Sequence, residues 1–191
     1  LKRDEINLLN KFISGTNLTS QLFEEIATNT INHIFNAKIE AYRFIELNRN
    51  ETIYPENFYD FRKNINYNNI YFEEFYHYYN FLFPHFDNLA YEEFIKSFNK
   101  KSFTKDNVDY NLIKLGLIDN LVQNREIKSR LTSFITRKFL SFCKKQEEAN
   151  TIYNYYLEIN KTNDESSKNY QQKRVITVSY THLTLPTKWI V

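Results

Sequence analysis

The chain has very few of the residues from which local active-site motifs are built: two glycines, three prolines, one cysteine and no methionine in 191 residues. Two glycines leave no room for a dinucleotide-binding GxGxxG, a phosphate-cradling P-loop or a GxSxG nucleophile elbow. Each of those uses glycine where the backbone must turn sharply or approach a ligand closely. The lone Cys143 cannot close an internal disulfide, a CxxC redox pair or a zinc knuckle, and no HExxH stands in for them. Charge of one sign is lacking too. The formal net charge is +2, and Lys100-Lys101 and Lys144-Lys145 are isolated pairs read as solvated faces, so no nucleic-acid partner is expected. No segment is long and apolar enough to cross a membrane. The opening run Leu1 to Glu5 is charged, holds no apolar signal-peptide core and follows no methionine. The natural start of the protein is therefore expected to be missing.

What the chain does have is aromatic residues, with 17 Phe and 15 Tyr. Phe, Tyr, Asn, Lys and Ile share AT-rich codons, so genome composition accounts for much of this, and the rings are read as core rather than as a ligand-stacking surface. Helical periodicity dominates the arrangement. Leu1 to Ile13 reads as a short helix with Ile6, Leu9 and Ile13 inward. After Ser14-Gly15-Thr16, Ser20 is a candidate N-cap for a long helix reaching Leu47, whose inward face is predicted as Phe23, Ala27, Ile31, Phe35, Ile39 and Tyr42. Pro55 fits the first turn of a short helix marked by Phe58, Phe61 and Ile65. Phe72, Phe75, Tyr79, Leu82 and Phe86 mark the next, which Pro84 should kink or end near Phe83. Further helices are expected over 91–99, over Val108 to Val122 with Gly116 inside, over Ile127 to Phe142, and around Ala149 to Leu157. The fold class is all-α: an antiparallel array of amphipathic helices, either an irregular bundle or a stack of helical hairpins. No thirty-four-residue repeat is evident.

Candidate chemistry is sparse. Glu73 and His77 are one turn apart on a predicted helix, with His85 and Asp87 beyond, and a carboxylate and an imidazole so placed can share a metal or relay a proton. Two ligands do not make a site, and a surface pair is the stronger reading. His33 is read as boundary packing on its amphipathic helix. Cys143 closes an apolar stripe behind Phe139 and is read as a small buried hydrophobe rather than a nucleophile activated by Lys144 and Lys145. No catalytic, cofactor-binding or metal-binding residue is expected.

Three ordered segments carry a resemblance. Pro55 to Asn69 (PENFYDFRKNINYNN) followed by Phe75 to Phe86 (FYHYYNFLFPHF) resembles the helical stretch ahead of the redox domain in TlpA-like thiol:disulfide oxidoreductases, which are thioredoxin-family proteins. Ala37 to Arg49 is similar to the helix leading into that stretch, and Ser129 to Asn160 to the helix pair before the linker. The match covers most of residues 20–174 as a pattern of aromatic and apolar positions. It implies a non-catalytic accessory domain in the cell envelope or periplasm, whose partners are a C-terminal thioredoxin-like domain and other envelope proteins. The chemistry of that family lies in a CxxC, which this chain lacks. A helical interaction scaffold without enzymatic activity is the alternative. A second resemblance concerns Val178 to Thr187 (VSYTHLTLPT), which back-translates to a transposon-type sequencing adapter. The expected organisation is therefore a helical domain over 1–162, a polar helix or linker over 163–177 toward a missing domain, and a non-native tail over 178–191.

Overall fold

The computed structural model describes residues 20–49, 55–98, 104 and 106–161. Five α-helices occupy them: α1 Ser20–Arg49, α2 Tyr76–Phe98, α3 Val108–Leu121, α4 Arg125–Phe142 and α5 Gln146–Ile159. Two short 3-10 helices, Glu56–Asn64 and Ile70–Phe72, lie between α1 and α2. No strand occurs among the described residues. The contacts divide the chain after Tyr156. The helix expected over Leu1 to Ile13, the Lys100-Lys101 pair, the 163–177 linker and the 178–191 tail lie outside the described residues.

The all-α bundle is present, and its irregularity lies in the first helix pair. Along α1 the residues His33, Glu40 and Arg43 meet Tyr78, His85 and Glu92 of α2 in the same order. The two helices therefore run parallel. The segment between them must return the chain to the starting end, and its 3-10 turns and Asn-rich bends serve as that crossover. Helices α2 and α3 follow the expected antiparallel order, with Phe94 beside Tyr110 and Asp87 beside Lys114.

The buried face of α1 differs from the predicted one. Phe35 and Tyr42 are 56% and 47% exposed, whereas Ile26, Thr30, Glu40 and Glu46 are buried. Ile26, Thr30, His33, Ala37, Glu40, Phe44 and Leu47 are all buried or half-buried and recur three and four apart, the period of one helix face. Because that face carries Thr, His and Glu, a search for apolar spacing selects the neighbouring stripe.

Pro84 does not end its helix. Helix α2 runs unbroken from Tyr76 to Phe98 and absorbs the separate helix expected over 91–99. Proline removes the hydrogen bond to the carbonyl four residues back. That residue is Asn80, which is exposed, so water can satisfy the freed oxygen. On both sides Phe81, Leu82, His85 and Phe86 are fully or almost fully buried and hold the helix in place. The helix expected around Phe58 and Phe61 is a 3-10 helix instead.

Asparagine, attributed to codon bias from composition alone, has structural roles. Asn69, Asn107 and Asn124 each accept a backbone N–H with the side-chain oxygen at the start of a helix. Asn68 Oδ1 accepts from the N–H groups of Gln123 and Asn124, at 2.6 and 2.8 Å, and so ties the crossover to the α3–α4 connection. The apolar core is built by α2, α3 and α4, with Leu82, Phe86, Leu115, Ile118, Ile127 and Leu131 fully buried. Each such side chain contributes roughly 1.5–3 kcal/mol relative to exposure. Gly116 lets α3 approach α5: a Cβ there would sit 3.2 Å from the Tyr155 hydroxyl.

Candidate functional site: a buried ionic cluster

The parallel packing of α1 and α2 brings the carboxylate of Glu40, with none of its side chain exposed, against the crossover. Its Oε1 accepts from Arg62 Nε at 2.7 Å and from His85 Nδ1 at 2.8 Å. Its Oε2 accepts from Arg62 at 2.5 Å and from Asn88 Nδ2 at 2.6 Å. Four donors on one carboxylate match its acceptor capacity, and the two-pronged Arg62 contact is the strong form of the guanidinium–carboxylate pair. Arg62 also reaches Glu92, which Arg43 shares, and Arg43 continues to Glu46 at 2.7 Å. The Tyr59 hydroxyl donates to Glu46 at 2.8 Å, and its ring lies under the Arg43 guanidinium, 4.8 Å from centroid to carbon.

Electrostatics follow from this geometry. Burial pushes the Glu40 carboxyl up, but the hydrogen bonds and charges of His85 and Arg62 outweigh it and hold it below the usual carboxylate range. Burial likewise opposes the charge of Arg62, and the bonds to Glu40 and Glu92 restore it, raising its pKa. Burial and the Glu46 bond push Tyr59 to about 12, and burial with the Glu40 charge pushes Tyr67 to about 12.

One line through the cluster has the order of a proton relay. The Tyr67 hydroxyl lies 2.8 Å from His85 Nε2, and His85 Nδ1 faces Glu40. An ionised carboxylate can only accept, so Nδ1 carries a hydrogen. In the neutral ring Nε2 then accepts from Tyr67. Hydroxyl, imidazole and carboxylate in series are the parts of a nucleophile relay. Here, however, the terminal phenol is made harder to ionise rather than easier, and the His85 ring is packed against Phe81, Phe86 and Tyr67. The arrangement fixes ring orientation and joins three segments of chain.

Glu73 and His77 do not share a helix. Glu73 closes the second 3-10 turn and accepts from Asn124 Nδ2 at 2.7 Å, while His77 is exposed in the first turn of α2 beside Tyr76. His85, named with that pair only as a distant neighbour, is instead the imidazole of the buried cluster, and Asp87 pairs with Lys114. His33 is packing, as expected, between Phe72, Tyr78 and Phe81. Its Nδ1 is buried without a hydrogen-bond partner among the described residues, and burial followed by the His77 charge lowers its pKa to about 4. Cys143 is half-buried rather than fully buried; it caps α4, and its Sγ–H donates to the Lys145 carbonyl at 3.3 Å.

Glu40, Arg43, Glu46, Arg62 and Glu92 were not singled out from the sequence. The one available signal was a glutamate, Glu40, at the centre of an otherwise regular three-and-four spacing on α1. Comparison with protein families, curated proteins and solved structures gave no match for the chain.

Proposed function

We propose that these helices form a non-catalytic domain that positions a partner, with the ionic cluster as the lock that sets its shape. The observation that carries this reading is the saturation of Glu40. All its acceptor sites are taken by fixed donors from the crossover and from α2, which suits holding a conformation and leaves no site for a reacting group. On the strength of the resemblance alone, the partner is a thioredoxin-like redox domain on the same polypeptide, in the cell envelope. The runner-up is a helical interaction scaffold with no redox domain, favoured by exposed aromatic residues such as Tyr76 and Phe142.

Sequencing the source gene past the codon for Thr177 separates the two. A downstream in-frame CxxC within a thioredoxin-like sequence supports the first, and a reading frame without one overturns it. For the non-catalytic part, the purified chain is expected to show no disulfide-reductase turnover with insulin and dithiothreitol above the uncatalysed rate. Turnover abolished by Tyr67→Phe would contradict it.

A further inference from the structure

Between α2, α3 and α4 a cavity of about 340 Å³ opens, with apolar walls of Phe83 from α2 and Phe134, Ile135, Phe139 and Phe142 from α4. Small-ligand pockets occupy roughly 300–1,000 Å³ and combine apolar walls with a few fixed polar groups. Helix α4 supplies two stripes. Ile127, Leu131, Ile135 and Phe139 face the core, and Phe134, Lys138 and Phe142, four residues apart, line the cavity with their outer surfaces exposed. Phe134 is 42% exposed, and Phe142, expected from sequence to continue the core stripe, is 66% exposed. Rings open to water beside a concave apolar wall gain from being covered.

The charges around the cavity cancel: two aspartates, Asp87 and Asp106, stand against two lysines, Lys114 and Lys138. Lys114 is buried, pairs with Asp87, and lies 4.1 Å from the Tyr110 ring centroid. The Tyr110 hydroxyl donates to the Asp87 carbonyl and to its Oδ1, each at 3.2 Å. Asp106 and Lys138 make no ion pair among the described residues, and both are exposed, so water solvates them. Asp106 also bonds Thr104 and feels the charge of Lys144. The Lys138 ammonium sits 6.0 Å from the Phe134 ring centroid, the outer limit of a cation–π contact. An ionised ligand would surrender hydration here without meeting a net opposite charge, which is unfavourable. An uncharged aromatic ligand loses nothing of that kind and gains the apolar walls.

We propose that this cavity binds a small uncharged aromatic molecule, its flat body against Phe83, Phe134, Phe139 and Phe142. Those side chains offer it the offset and edge-to-face contacts that aromatic rings prefer. Phe83 and Phe134 already meet in this way, with ring centroids 4.3 Å apart. The site is independent of the redox reading above, since it draws on neither the Glu40 cluster nor a downstream domain.

The test is fluorescence titration of the whole chain with phenylnaphthylamine, followed by its displacement with naphthylmethanol, naphthoate and naphthylmethylammonium. The three competitors share one ring system and differ in charge. Wild type should bind phenylnaphthylamine saturably, one-to-one. The alcohol should displace it at a concentration at least about tenfold lower than either ion, roughly 1.4 kcal/mol. Phe134→Ser and Phe142→Ser should each weaken phenylnaphthylamine binding at least about threefold through lost apolar contact. Lys138→Gln and Asp106→Asn should leave it unchanged. These side chains are exposed, so Tm is expected to stay unchanged in every variant. Unsaturable binding, binding indifferent to both serine variants, binding lost in Lys138→Gln or Asp106→Asn, or displacement by either ion as readily as by the alcohol would each overturn the proposal.

Discussion

The two halves of the bundle are held by different physics. Around α3 and α4 the interior is mainly apolar, with the Lys114–Asp87 pair at its margin: Leu115, Ile118, Ile127 and Leu131 are fully buried and contribute through area removed from water, which has no direction. Between α1, the crossover and α2 the interior is ionic: Glu40, Arg62, His85 and Asn88 are joined by bonds that each require one geometry. An apolar interface tolerates repacking, because several arrangements bury similar area. A saturated carboxylate does not, because any slip leaves a buried charge without its partner. The lesson is one of placement. Parallel helices joined by a long crossover have no short turn to set their register, and in this bundle the directional interactions lie at that junction. The buried tyrosines reinforce it, with Tyr78 donating to the Asn66 carbonyl at 2.9 Å and Tyr79 to the Glu73 carbonyl at 2.8 Å.

Substitutions can break or sharpen this contrast. The largest effect is expected from Glu40→Ala, which strands Arg62 and should lower unfolding stability by about 3–5 kcal/mol in urea titration. Leu131→Ala in the apolar half should lose roughly 2–5 kcal/mol by leaving a cavity. It differs in kind, since the shape of the crossover should survive in Leu131→Ala and not in Glu40→Ala. Amide hydrogen exchange over residues 55–75 reads that difference, and equal exchange in both variants would erase the contrast.

Next in size is a pH effect. His33 has a folded pKa of about 4 against 6.5 unfolded, so the unfolded chain binds the extra proton between those values and stability rises with pH across that window. Wild type should lose about 2 kcal/mol, discounted for partial exposure, as pH falls from about 6.5 to about 4. His33→Phe, whose ring suits the Phe72, Tyr78 and Phe81 surround, should flatten that slope. The carboxyl of Glu40 is held low, so the stability it contributes is lost only further into acid, in wild type and in His33→Phe alike. A slope between pH 6.5 and 4 that is the same in both proteins would remove His33 from the account. The smallest effect belongs to the surface. Arg130→Ala breaks a 2.5 Å pair with Glu74 whose side chains are 44% and 80% exposed, and should shift stability by no more than about 0.5 kcal/mol.

The sequence made the apolar half readable and the ionic half nearly opaque, for one reason. Helix α4 could be placed within a few residues because Ile127, Leu131, Ile135 and Phe139 repeat at helical spacing with apolar side chains. On α1 the same period runs through Thr30, His33 and Glu40, so an apolar criterion chose Phe35 and Tyr42, which face outward. The partners of Glu40 lie 22, 45 and 48 positions away. Nothing local in a sequence marks Arg62, His85 and Asn88 as meeting one carboxylate. Pro84 misled in the opposite direction: the local rule for a helix break was sound, and burial on both sides overrode it. The 3-10 form of the Glu56–Asn64 segment was also out of reach, because aromatic spacing of three suits either helix type.

A double-mutant cycle on Glu40 and Arg62 tests the claim of a structural lock most directly. Glu40→Ala, Arg62→Ala and the double variant are unfolded in urea, and the coupling energy is taken from the three losses. If the cluster holds the crossover to the helices, the double variant should be little worse than either single one, with a coupling of at least about 2 kcal/mol. Losses that add to within about 0.5 kcal/mol would show that the two residues act independently and would contradict the account.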